Sequence, residues 1–113
     1  MPRPKRLRSI MAKPQVKAFG PAAVPGTGEI ILSLEEFEAI RLIDYDGMDQ
    51  SQAAETMGVS RQTVGRILKA GRSKIAAAIV EGQNLTMSGG CYKIKGRGRG
   101  RGRCGKGRGR QRW

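Results

Sequence analysis

Apolar positions change their spacing several times along this chain, and each change marks an element. EIIL, Glu29–Leu32, is a short apolar run with two β-branched residues, as a half-buried edge strand requires. Residues 16–19 form a weaker strand candidate. Between the two, residues 20–28 hold three glycines and two prolines and read as a loop. Ser33 then opens a helix, with Glu36 completing an S-x-x-E capping box that satisfies backbone donors from both partners. This helix runs to about Tyr45, where Asp46 and Gly47 end it. Its apolar residues Leu34, Phe37, Ala39, Ile40, Leu42 and Ile43 share no single face. That predicts cover on more than one side, by the body of the domain and by a partner subunit.

Asp49 caps a short second helix over Gln50–Met57, with Gln52 making the acidic version of the same box, and Gly58 breaks it. Ser60 caps a third helix that runs to about Glu81. Val64, Ile67, Leu68, Gly71, Ile75, Ala78 and Ile79 fall on one stripe of it. A glycine on that stripe, Gly71, predicts close approach to another helix. Gly82 ends the helix, and NLTMS at 84–88 is a last short strand that would pair with EIIL.

The second and third helices have the spacing of a helix-turn-helix. Counted from Gln50, a small residue falls fifth at Ala54 and a glycine ninth at Gly58. Buried positions fall fifteenth and eighteenth at Val64 and Ile67. Val59 would point inward from the turn. The outer side of the third helix then presents Arg61, Gln62, Gly65, Arg66 and Lys69. Arg can bind guanine O6 and N7 bidentately, and Gln can do the same for adenine N6 and N7. Gly65 would let the helix approach DNA closely, and Ser60 and Thr63 would hydrogen-bond phosphates. The expected fold class is mainly α: a three-helix helix-turn-helix domain, winged-helix-like, with short flanking β segments and disordered basic termini.

Charge divides the chain into three. Residues 1–17 carry six Lys/Arg and no acid, and residues 93–113 carry ten and no acid. The middle holds six bases against all nine acids, although the whole chain is at +13. Residues 1–28 therefore read as a basic extended arm and loop, 29–92 as the domain, and 93–113 as a disordered Arg/Gly-rich tail. Such arms attract polyanions. Auxiliary phosphate contacts are expected from Arg3, Lys5, Arg6 and Arg8 in the arm and from Arg97, Arg99, Arg101 and Arg103 in the tail. Within the domain, residues 29–55 hold eight acids and one base, Arg41, whereas 61–74 hold five bases and no acid. The positive side of the body is thus expected on the third helix.

Catalytic chemistry has little to work with. There is no histidine, and Cys91 and Cys104 stand thirteen positions apart with no second pair, which is not a zinc spacing. They read as free thiols in a reducing cytosol. Glu35, Glu36 and Glu38 read as surface charges complementing a helix dipole. No enzyme activity, metal or cofactor is expected. No apolar run reaches the ~20 residues of a membrane helix, and the basic N-terminus has no apolar stretch behind it. The expected location is the cytoplasm, with no membrane partner.

Three stretches carry a family resemblance: MPRPKR at the start, LEEFEAIRLIDYDGMDQSQAAETMGVSRQTVGRIL in the middle and AIVEGQNLTMSGG after it. Over roughly residues 1–92 the chain resembles a small uncharacterised prokaryotic family. Its members are described as DNA-binding proteins with a helix-turn-helix similar to region four of the sigma factors. The resemblance implies Ser60, Arg61, Gln62, Thr63 and Arg66 in the DNA-facing helix. Members often carry cysteines near the N-terminus where this chain has Leu7 and Met11. Others continue into a cysteine-bearing tail or cofactor-binding domain where this chain has arginine and glycine. The expected function is sequence-specific binding of double-stranded DNA by a transcriptional regulator that reads the major groove with helix 60–81, as a homodimer on two half-sites. Two other classes fit the same composition: an RNA-binding protein acting through the Arg/Gly tail, and a sigma-like factor that docks on RNA polymerase.

Overall fold

The computed structural model describes residues 7–21 and 28–94, and the backbone of 102–104. Among the described residues three α-helices follow one another: α1 (Leu34–Ile40), α2 (Gln50–Met57) and α3 (Arg61–Glu81). Their ends are set by local chemistry. Ser33 accepts the Glu36 N–H while the Glu36 carboxylate accepts the Ser33 N–H. Asp49 and Gln52 make the same reciprocal pair at α2. Gly58 and Gly82 close α2 and α3 in the left-handed region, with φ of 69° and 65°, where a Cβ would be strained.

The first helix is less regular than its sequence predicts. After Ile40 it widens into a π-helical segment, Arg41–Tyr45, in which the Asp46 N–H reaches back five residues to the Arg41 carbonyl at 2.8 Å. Gly47, with φ of 83°, follows.

Among the described residues two three-stranded sheets flank the helices. In the first, β2 (Ala18–Phe19) and β3 (Glu29–Leu32) lie on either side of β4 (Asn84–Met87), antiparallel and parallel respectively. The predicted pairing of EIIL with NLTM is present, with Ile30 opposite Leu85. In the second sheet β1 (Arg8–Ile10) runs parallel to β5 (Cys91–Ile94), which runs antiparallel to β6 (Gly102–Cys104). The described part of the basic arm is thus built into the domain. Part of the tail expected to be disordered is a strand; the remaining residues of that expectation lie outside the described ones. Because β1 and β6 run oppositely on the two sides of β5, the chain enters β1 and leaves β6 at the same end of this sheet.

The core has two halves, and α1 is the wall between them. On one side Ala39, Leu42, Ala53, Ala54, Met57, Val64, Ile67 and Leu68 pack together, with Val59 partly buried against them. On the other side Ile10, Leu32, Leu34, Met87 and Tyr92 join the helices to the sheets. Ile40 packs against both. This explains why the apolar residues of α1 share no single face. The chain itself thus packs on both sides of the expected subunit surface, leaving Phe37, Ile40 and Ile43 partly buried. The α1–α3 crossing is tight: a Cβ on Gly71 would lie 2.9 Å from Ile40 Cδ1 and 3.2 Å from Glu36 Cβ.

The three glutamates of α1 are the largest departure from expectation. They are buried, not surface charges complementing the dipole, and Glu38 is wholly inaccessible. Glu35 accepts the Cys91 N–H at 2.6 Å and lies 3.9 Å from the Arg8 guanidinium. Glu36, besides its capping role, takes both Lys74 contacts, at 2.8 and 3.1 Å. Glu38 binds Arg41 through both oxygens at 2.9 Å and accepts the Met11 N–H at 3.1 Å. A carboxylate taken out of water must be met by donors, and here the donors come from four other segments. The cysteines also depart from expectation. Cys91 is buried and disulfide-bonded, not a free thiol, and β5–β6 register sets it opposite the chain's other cysteine, Cys104.

Glu38→Ala leaves the Met11 N–H and the Arg41 guanidinium without their buried acceptor. It is expected to lower stability by roughly 2–4 kcal/mol, seen as a fall in the urea midpoint with an unchanged slope. Gly58→Ala, in the left-handed turn, is expected to cost about 1–2 kcal/mol in the same measurement.

Candidate nucleic-acid interface

The small pair Ala53–Ala54 lets α2 sit against the start of α3, and both alanines are buried. Gly58 turns the chain and accepts no Cβ without strain. Ser60 caps α3 by accepting the Thr63 N–H at 3.0 Å. Val64, Ile67 and Leu68 then face inward, so Arg61, Gln62, Arg66 and Lys69 face out, and all four are exposed. The structure therefore gathers four of the expected residues on one open side of a helix.

Two of the other expected residues have internal roles. The Ser60 hydroxyl donates to Thr63 Oγ1 at 2.9 Å, which leaves Thr63 the one of the two with its own hydroxyl proton to offer. Gly65 is half-buried, and a Cβ there would lie 3.2 Å from the Gln50 side-chain oxygen. The space beside Gly65 is thus occupied by Gln50, the first residue of α2 and itself exposed. Sequence reasoning missed Gln50; its signal was the pairing of a helix-opening polar residue with a glycine fifteen positions on.

Of the auxiliary cations, Arg8 is buried beside Glu35 and does not share this face. Arg3, Lys5, Arg6, Arg97, Arg99 and Arg101 lie outside the described residues, as does the side chain of Arg103.

The electrostatics of α3 split along its length. Arg72 is bound by Asp44 through two contacts, 2.6 and 3.1 Å, and Lys74 by Glu36. Among the described residues Arg61, Arg66 and Lys69 have no ion-pair partner. The acids of 29–55 thus neutralise the middle of α3 and leave its first two turns cationic. The Arg72 hydrogen bonds hold the Asp44 carboxyl below its ordinary value of 3.8, aided by the charge of Arg72 and opposed by desolvation. Arg41 is raised by its hydrogen bond to Glu38. At the far end of α3 an uncharged groove of about 430 Å³ runs between Phe19, Pro21, Ile75, Ala78, Ile79 and Leu85, away from the cationic turns. Among the described residues no group of His, Cys, Asp or Glu could hold a metal ion, and no helix is long and apolar enough to cross a membrane.

Residues 1–95 match the model of the family described as Protein of unknown function DUF134. The chain belongs to this family. Relatives in DUF134's range carry the name UPF0251 protein. One from Syntrophobacter fumaroxidans is 52% identical over 92 residues, which is 80% of this chain and 59% of that one. One from Methanothermobacter thermautotrophicus is 48% identical over 92 residues, 81% of this chain and 49% of that one. One from Thermoanaerobacter pseudethanolicus is 44% identical over 96 residues, 83% and 81% of the two. The chain thus spans about half to three fifths of the length of the first two of these relatives. No solved structure matches it.

The Asp44 carboxyl is expected to titrate below 3.8 in a carbon-detected NMR titration and to rise in Arg72→Ala. The sign follows from linkage: a depressed carboxyl stabilises the fold above its unfolded pKa, and that contribution is lost as pH falls through the folded one. Wild-type stability should therefore decline more steeply than that of Arg72→Ala across this acid range.

Proposed function

We propose that this chain is a sequence-specific double-stranded DNA-binding protein and a transcriptional regulator. In this reading α2, the Gly58 turn and α3 form a helix-turn-helix of the sigma region-four-like, winged-helix-like class. Helix 60–81 enters the major groove by its first turns. The observation that carries the reading is the unneutralised start of α3, where Arg61, Gln62, Arg66 and Lys69 are exposed together while the next two cations are taken by Asp44 and Glu36. Gln62 and Arg66 have the side chains that pair two-pronged with adenine and guanine edges. Arg61, Lys69 and Thr63 suit phosphates, and Gln50 lies close enough beside Gly65 to join them.

The +13 charge supplies attraction without sequence preference, at a log–log salt slope of ~0.9 per phosphate neutralised. A single module reads few base pairs, so the reading includes a homodimer on half-sites about one turn, ~34 Å, apart. The protein acts in the cytoplasm on this reading and needs no cofactor.

Selection of bound duplexes from a random pool tests it. A short preferred sequence is expected, with Gln62→Ala and Arg66→Ala each relaxing preference at particular positions by ~1–3 kcal/mol. Equal weakening on every duplex would reduce those side chains to backbone contacts. Replacing Arg97, Arg99 and Arg101 by Gln, which spares β6, should lower affinity and keep the preference. If that variant instead loses binding to single-stranded RNA and no duplex is selected, the tail is the functional element of an RNA-binding protein. Co-purification with RNA polymerase that survives nuclease and Arg66→Ala would point to the sigma-like docking factor.

A further inference from the structure

The cationic side of α3 does not end where its bases end. At 100° per residue, Arg72 falls within about 20° of Gly65, two turns further along the same flank. It would extend the row of cations formed by Arg61, Arg66 and Lys69. Its guanidinium is instead occupied. Asp44 meets it side-on, Nε to Oδ2 at 3.1 Å and Nη2 to Oδ1 at 2.6 Å. Two parallel N–H donors on two oxygens is also the way a guanidinium holds a phosphate.

This pair differs from the Lys74–Glu36 pair on the same helix. Lys74 is locked to Glu36, a buried carboxylate that needs it, with 11% of its side-chain surface exposed. Arg72 and Asp44 are open, with side-chain exposures of 55% and 37%, and an exposed pair contributes little to folding. Asp44 also belongs to the π-helical segment, where one extra residue per turn changes its register relative to the rest of α1. A carboxylate that the core does not require is therefore carried out of regular helix and onto the one arginine that continues the cationic flank.

We propose that Asp44 is an affinity-limiting residue: it occupies the Arg72 guanidinium in place of a DNA phosphate, so that the cationic surface offered to DNA stops at Lys69. This inference rests on the proposed DNA-binding function. It gives Asp44 the role of holding down sequence-independent affinity in a chain whose charge would otherwise favour any duplex.

The test is a salt titration of duplex binding, on a selected sequence and on a random one. It compares full-length wild type, Asp44→Asn, Arg72→Gln and the double variant. Asp44→Asn should bind both duplexes more tightly and steepen the log–log salt slope by about 0.9, one added phosphate contact. Its advantage over wild type should then grow about 3.5-fold between 0.2 and 0.05 M salt. Arg72→Gln should leave the wild-type slope unchanged, and the double variant should match Arg72→Gln. The inference is overturned if Asp44→Asn leaves the slope alone, if Arg72→Gln makes it shallower, or if Asp44→Asn steepens it equally when Arg72 is absent. In each case a wild type that still selects a sequence leaves the DNA-binding reading standing. A wild type that binds no duplex removes both, even where the Asp44 titration shows the ion pair intact.

Discussion

Three buried carboxylates on one short helix hold this molecule together. Burying a carboxylate costs several kcal/mol unless its oxygens find donors. Glu35, Glu36 and Glu38 find theirs on different segments: the backbone of Cys91, the ammonium of Lys74, and the backbone of Met11 with the guanidinium of Arg41. Each requirement can be met only if another part of the chain has arrived. The N-terminal strand, the second sheet and α3 are therefore tied to α1 by directional bonds, which apolar contact alone would not orient. Apolar packing supplies the cohesion of the two core halves; the glutamates set how those halves are placed on either side of α1.

The arrangement of charge on α3 follows from the same anchoring. Around residues 71–74 the helix is pressed onto α1, with a glycine where Ile40 and Glu36 come closest and a lysine bound to Glu36. Cations near this anchor lie within reach of the acidic segment and are neutralised. The first two turns stand beyond it, supported by α2 and the Gly58 turn, and keep their charge. The polarity of the body is thus a matter of reach: the acids of α1 and its π-helical extension extend along α3 as far as Arg72 and no further.

The second sheet does comparable work at the chain ends. A parallel β1–β5 pair joins residues more than eighty positions apart, and β6 adds the tail to the same sheet, with Cys91, the first residue of the central strand, disulfide-bonded. The part of the arm that enters the sheet surrenders Arg8 to Glu35. Charge counted along the sequence therefore overstates what the N-terminal arm offers to a partner, since one of its cations serves the interior.

What was legible in the sequence is what is decided within a few residues. Both capping boxes, the ends of α2 and α3, the glycine turns and the inward stripe of α3 as far as Ala78 depend on neighbours three or four positions away, and these are as the spacing predicts; only the last residue of the expected stripe, Ile79, is exposed. Gly71 was legible because a glycine on an apolar stripe has few other reasons to be there. Glu38 was not. Its contacts are Arg41 and a backbone amide 27 residues upstream, those of Glu36 and Glu35 lie 38 and 56 residues away, and nothing in LEEFEAI separates a buried glutamate from a solvated one. The π-helical widening, the strand made by residues 102–104 and the Gln50 side chain beside Gly65 were invisible for the same reason. The chain's own local chemistry determined which segments are helical and which side of each is apolar. Only the folded arrangement decided which charges are taken inside and which remain outside, because that depends on partners brought together from distant parts of the chain.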